Sequence, residues 1–393
     1  MKHPLLLAGS VVLAFFAGNA NAQDTIGGSV GIDGRVNVVS TAVPFLRISP
    51  DARSGAMGDA GIALSPDVNS VFWNLSKLPF AKEDAAAAVT YTPWLTELVN
   101  DVFLATLSGY KKLDDYQAIG ASLRYFSLGN VDLMDVIGQP QGTFNPREFA
   151  FDAGYARKLS DNWSIGMALR YIYSNLASGQ AAPGGQTYKA GQSVAGDVSA
   201  YYTNDLDYGN GQTANVSFGL AITNMGTKIS YANNGQRNFI PTNLGIGGAY
   251  TQQLDEYNKI TLALDLNKLL VPTPPAPSDS SGNEKYNNEG VVQGMFNSFS
   301  DAPGGFREEM QEVIYSVGLE YWYNDLFAVR AGYFHEAPNK GDRQYLTVGL
   351  GLKYNLLGLN FSYLVPSGSG VNRNPLSNTL RFSILFDLSP KQQ

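Results

Sequence analysis

The sequence predicts an all-β protein: a fourteen-stranded antiparallel transmembrane β-barrel with an N-terminal plug inside it. Three observations predict this. Side chains alternate between apolar and small or polar over long segments, the connections between segments alternate between brief and long, and charged residues make up only 16% of the chain against about 25% in a typical soluble domain.

The alternation is plain in 164–173, where Ile165, Met167, Leu169, Tyr171 and Tyr173 share one face and Ser164, Gly166, Ala168, Arg170 and Ile172 the other. Segments 345–354 and 380–388 repeat the pattern. Successive side chains of a strand point to opposite faces, so each segment has one greasy side. A soluble β-sandwich alternates too. Segment length and loop sorting favour the barrel. The segments run to about 9–11 residues, the length of a tilted membrane-crossing strand, where globular strands average about 5–6.

Strands are expected at 84–91, 102–110, 117–126, 148–158, 163–173, 196–203, 213–223, 243–252, 257–266, 313–323, 326–334, 344–354, 357–364 and 378–388. Even-numbered strands are followed by brief connections, such as 159–162 and 355–356. Odd-numbered ones are mostly followed by long connections, such as 127–147 and 267–312. Short periplasmic turns and longer extracellular loops mark an outer-membrane barrel. Tyrosines near strand ends fit interfacial girdles, with Tyr125, Tyr173, Tyr333 and Tyr363 at one rim and Tyr110, Tyr155, Tyr250, Tyr321 and Tyr354 at the other. Inward-facing charges are expected at Arg124, Asp152, Arg170, Asp265, Glu320, Arg330, Lys353 and Arg381, in a wet lumen or paired with one another and a plug.

The chain begins with Lys2, an apolar stretch over 5–16 and Ala20-Asn21-Ala22, the pattern of a cleaved secretory signal peptide. That divides the chain into a signal peptide (1–22), an N-terminal segment and hatch (23–83), and a barrel (84–393) carrying a long extracellular loop at 267–312. No later run is long and apolar enough to cross a membrane as a helix. A net charge of −7 gives no support for nucleic-acid binding. The sequence has no cysteine, which excludes disulfides, thiolate chemistry and Cys-ligated metals, and His335 is the one histidine beyond the leader, so no His-based metal site is expected; no residue is assigned to a cofactor or to catalysis.

The segment 49–64 is rich in small residues, poor in alternation and followed by Val71-Phe72-Trp73-Asn74. Small residues allow close backbone packing, which suits a plug. The expected plug residues are Arg53, Gly55, Met57, Gly58, Asp59, Gly61, Trp73 and Asn74; Arg53 and Asp59 either pair with inward charges such as Glu320 or Arg330 and hold the plug, or belong to ordinary hatch packing. The spacing of Gly55 and Gly58 is no nucleotide-binding motif, because no strand leads into it and no lysine follows.

The run from Ala52 to Gly61, with Val71-Phe72-Trp73-Asn74, resembles the hatch of FadL-type long-chain fatty acid transporters. Where that family carries Asn-Pro-Ala, this chain has Asn74-Leu75-Ser76. The stretch Arg47–Asp59, the length and the long insertion before strand ten are more similar to one branch of that superfamily, the PorV (LptO) proteins of the Bacteroidota type IX secretion system. The resemblance implies an outer-membrane protein that is not an enzyme. It would accept cargo bearing a C-terminal secretion domain as it leaves the translocon barrel, then deliver it to a sortase-like attachment complex at the cell surface. Lipid and lipopolysaccharide would surround it. Two alternatives stay open: a FadL-like channel for hydrophobic compounds, and an outer-membrane lipid A deacylase.

The loop 267–312 is the partner-binding candidate. Its Pro272, Pro274 and Pro275 are pre-extended, and Met295, Phe296 and Phe299 supply apolar anchors. A deacylase would need its histidine base at His335, beside Glu336; the alternative is a plain rim histidine.

Overall fold

A computed structural model describes residues 38–389 apart from 97, 136, 183–185, 210–211, 233–235, 276–278, 366–375 and 377. The expected signal peptide at 1–22 lies outside the described residues. The chain forms a closed barrel. Its strands are β1 (Ala85–Pro93), β2 (Val102–Lys112), β3 (Gln117–Leu128), β4 (Arg147–Lys158) and β5 (Trp163–Asn175). They continue as β6 (Gly191–Asp207), β7 (Thr213–Gly226), β8 (Asn243–Gln253), β9 (Asn258–Leu269) and β10 (Ile314–Tyr323). The last four are β11 (Phe327–His335), β12 (Gln344–Tyr354), β13 (Leu357–Leu364) and β14 (Leu380–Asp387).

Every strand is antiparallel to the next, and β14 closes on β1 with Ala86 opposite Asp387 and Tyr91 opposite Phe382. Closure leaves no unpaired edge, which is the condition for a sheet to stand in hydrocarbon. All fourteen expected strands are present. β6 is longer than expected, because its first residues, Gly191 to Ala195, carry little apolar alternation yet pair with β5 from Ser174 onward. Connections of two to five residues (113–116, 159–162, 208–212, 254–257, 324–326 and 355–356) collect at one end. All the long ones lie at the other, which is the extracellular end.

The wall is two-faced as the alternation requires. Met167 and Leu169 are exposed to the outside, while Ala168 and Arg170 between them are buried. Tyr125, Tyr155, Tyr250, Tyr333 and Tyr354 are exposed, as rim tyrosines should be. Tyr110 is a correction: it turns inward, is 5% exposed, and its hydroxyl donates to the Glu83 carbonyl at 2.9 Å. Lys353 keeps to the inward side of its strand at the periplasmic lip, where it pairs with Glu83 (2.6 Å) and both line the space below the hatch.

The lumen is filled by the N-terminal segment, which runs through the barrel from end to end. A 3-10 turn at Pro44–Arg47 places Phe45 and Leu46 among Leu104, Phe126, Ile172 and Ile229, at the extracellular end. Two short helices follow, α1 (Ala52–Gly55) and α2 (Ser70–Trp73). A second 3-10 stretch, Leu75–Phe80, packs Leu75 and Leu78 with Ala118, Tyr110 and Ala156 near the periplasmic turns. Each large apolar side chain buried here stabilises the seated hatch by roughly 1.5–3 kcal/mol.

Candidate functional site

Asp51 organises the hatch. One carboxylate oxygen accepts from the Ser54 backbone N–H (2.8 Å), capping α1, and the other accepts from Trp73 Nε1 (2.8 Å), binding α2 to α1. The cap leaves Arg53 facing β10. Its Nε and Nη2 donate to the two oxygens of Glu320 at 3.0 and 2.8 Å, and its Nη1 donates to Asp67 at 3.1 Å. Glu320 also accepts from Arg330 Nε (2.6 Å), so one carboxylate stands between two guanidinium groups.

Of the two partners expected for Arg53, Glu320 is therefore the direct one and Arg330 shares it. Asp59 goes elsewhere, accepting from the Tyr345 hydroxyl at 2.7 Å and lying 3.7 Å from Arg381. Gly58 N–H donates to Thr347 Oγ1 (2.9 Å). Gly61 and Ile62 N–H both donate to one oxygen of Asp265, at 2.6 and 2.8 Å. Asn74 caps the 3-10 stretch by accepting from Ser76 N–H (3.2 Å), and it donates to the Ala200 carbonyl of β6 (3.0 Å). Among the other inward charges, Asp152 pairs with both Arg124 and Arg170.

The wall residues that receive the hatch were not singled out from sequence. They are inward-facing glycines. A Cβ on Gly318 would sit 2.6 Å from Met57 Cβ, and one on Gly120 would sit 2.8 Å from Leu78. One on Gly332 would overlap the peptide that joins Met57 to Gly58. Gly349 meets Ala56 in the same way, and Gly219, Gly245 and Gly247 all meet Ile62. The signal was available: these glycines fall on the small face of strands whose other face is continuously apolar.

Between hatch and wall remains a cavity of about 100 Å³, lined by Arg47, Asp59, Arg170 and Arg343 together with Trp73 and Phe334. Below it a vestibule of about 460 Å³ opens toward the periplasmic turns.

The loop between β9 and β10 is a built structure. It carries α3 (Ser280–Asn288), α4 (Val291–Asn297) and α5 (Phe306–Gln311). Ion pairs clamp its base: Lys268 with Glu309 (3.0 Å) and Glu312, and Lys340 with Glu308 (2.7 Å) and Glu312 (3.0 Å). Thr273 N–H and Oγ1 donate to Asp301 at 2.9 and 3.2 Å. Burial pushes the Asp301 carboxyl up to about 6, helped by the charges of Glu309 and Glu312 and opposed by the Thr273 bonds. From the neighbouring loop, Lys228 Nζ lies 3.8 Å from the centre of the Phe239 ring and donates to the Tyr286 and Asn287 carbonyls at the end of α3, both at 3.2 Å.

The sequence-predicted anchors divide. Phe296 and Phe299 are 74% and 49% exposed. Met295, Pro274 and Pro275 are half-buried. Pro272 is a correction: it is buried against Gly294, where a Cβ would lie 2.8 Å from its ring, so it holds the loop's own fold and is no contact for a partner. Sequence reading passed over Val292, Phe306 and Met310, which are exposed as well. Their signal is the i, i+4 spacing of Val292 with Phe296 and of Phe306 with Met310 inside a polar loop.

His335 ends β11 at the extracellular rim. Its Nδ1 lies 3.5 Å from the Tyr333 hydroxyl and its ring packs 6.1 Å from that of Tyr315. Glu336 turns to Arg343 (2.7 and 2.9 Å) and Arg47 (3.7 Å) instead of orienting the imidazole.

Residues 32–276 match the family model described as type IX secretion system protein PorV. Similar solved structures include the toluene transporter TbuX of Ralstonia pickettii, 12% identical over 86% of this chain and 97% of that one, with a TM-score of 0.47. The P. putida toluene transporter TodX is 11% identical over 86% and 99%, with a TM-score of 0.49. A Pseudomonas aeruginosa FadL homologue is 11% identical over 89% and 99%, with a TM-score of 0.42. No curated protein matches the chain.

Proposed function

The chain belongs to the PorV family of type IX secretion system proteins, and on that premise we propose that it is a non-catalytic cargo carrier of the outer membrane. It takes secreted proteins by their C-terminal domains as they leave the translocon barrel and delivers them to the attachment complex at the cell surface. A cleaved signal peptide brings it to the outer membrane. The observation that carries this reading is the apolar ridge of Val292, Phe296 and Phe299 on a loop braced from below by ion pairs. Exposed aromatic side chains on a rigid support lose little entropy on binding and fill partner pockets well. The hatch suits the same role. An apolar solute crossing the lumen would have to displace a segment tied to the wall by Arg53, Asp59 and the Asp265 bonds.

The test is the double variant Phe296→Asp with Phe299→Asp, expressed in place of the natural protein. Barrel insertion is expected to be normal, with surface cargo lost and cargo no longer recovered in pull-downs from detergent-solubilised outer membranes. Normal surface display by a correctly inserted double variant would defeat the proposal.

A further inference from the structure

The hatch has a direction. Its lower end, Leu75–Phe80, lies by the short turns, and β1 begins there at Ala85. Its upper end lies among the long loops. Ala42 N–H donates to the Phe239 carbonyl at 2.9 Å, in the loop between β7 and β8. Val43 and Phe45 pack with Ile229 and Ile240 of that loop and with Val102 at the outer end of β2. Val38 and Val39 line a space of about 130 Å³ shared with Leu269, Glu312, Lys340 and Arg343, all at the extracellular mouth. Val38 and Ser40 are exposed.

We infer that the polypeptide enters its own barrel from the cell-surface side, so that Val38–Ser40 form part of the extracellular surface. Orientation rests on the sorting of connections, in which every short turn lies at the end opposite Val38. It does not depend on the cargo reading. Around this stretch Val38, Val39 and Leu269 lie beside the Arg47–Glu336–Arg343 chain of ion pairs.

The sequence has no cysteine, so single cysteines report position cleanly. The experiment labels intact cells with a maleimide on a polymer too large to cross the outer membrane, using Val38→Cys and, as a second site, Ser40→Cys. Phe306→Cys on the outer loop and Asp114→Cys in the β2–β3 turn are the two controls. Val38→Cys and Ser40→Cys are expected to label on intact cells as Phe306→Cys does, while Asp114→Cys labels only after the outer membrane is permeabilised. Labelling of both test sites only after permeabilisation, or at neither stage in a heat-modifiable folded barrel, overturns the inference.

Discussion

Arg53 of the hatch and Glu320 of the wall meet through two parallel hydrogen bonds, 3.0 and 2.8 Å long, and Glu320 is at the same time the partner of Arg330. Removing a carboxylate from between two buried guanidinium groups leaves both without their main counter-charge. Glu320→Ala is therefore expected to destabilise the folded protein by about 3–5 kcal/mol, the usual cost of breaking a buried pair from one side. Glu320→Gln keeps the shape and one acceptor oxygen without the charge, and should cost less. Urea unfolding in detergent, followed by the heat-modifiable gel shift, measures both. Equal stability of Glu320→Ala and the natural protein would show that the hatch is held by packing alone.

Gly332 and Gly58 bring two backbones together where a single added methyl has no room. Gly58 has a φ of 67°, so the hatch peptide cannot move aside by adopting an ordinary conformation there. Gly332→Ala is expected to unseat this part of the hatch while leaving the outer wall intact, since the new methyl points inward. Conductance across planar bilayers should rise above that of the natural protein. Gly248→Ala is the control: its Cβ would meet Phe218 at 3.6 Å, an ordinary contact, and conductance should not change. A tight barrel in Gly332→Ala would mean that the wall yields instead.

The barrel was legible because lipid imposes a rule on every strand at once. Met167, Leu169 and Tyr171 repeat what Leu346, Val348 and Leu350 show on a distant strand, and one period governs both. The start of β6 escaped, since Gly191 faces Ile229, Ser193 bonds to Thr227 and Ala195 packs with Phe45, so this stretch needs no apolar alternation. Arg53 with Glu320 was within reach, because few buried charges are available to pair. Asp59 with Tyr345 was not, since nothing local distinguishes Tyr345 from the many other tyrosines. The inward glycines were visible as a pattern, but their meaning depends on Met57 and Ile62 lying opposite them, a long-range relation that periodicity does not contain. The loop helices were missed for a related reason: they are held by Lys228, Lys268 and Lys340 from other parts of the chain.

Lys228 serves α3 in two ways, by its charge against the terminal carbonyls and by its place over Phe239. Lys228→Met keeps the bulk and removes both contributions, together about 1 kcal/mol, which is roughly a fivefold larger population of the open loop. Limited trypsin digestion on intact cells reads this at Lys285. Cleavage there is expected to quicken in Lys228→Met while cleavage at Arg307, on the separately clamped α5, stays unchanged. Equal acceleration at both sites would mean that the loop opens as one unit.

Asp301 makes the loop sensitive to pH. Its carboxyl is pushed up to about 6 in the folded loop, against an ordinary value of about 3.9. The neutral acid thus favours the folded state: its contribution is full below the ordinary value and is lost as pH rises through about 6. Glu309 and Glu312 stand close by, where they pair with Lys268 and Lys340 at the base of the loop. Asp301→Asn removes this one carboxyl and leaves those ion pairs in place, so the difference between the two proteins reports on Asp301. Hydrogen exchange across 270–313, compared between the natural protein and Asp301→Asn, is expected to show the natural loop losing protection relative to the variant between about pH 4 and pH 6, then running parallel to it. A difference that does not change with pH, or one that changes in the opposite sense, would place Asp301 in solvent and remove it from the clamp.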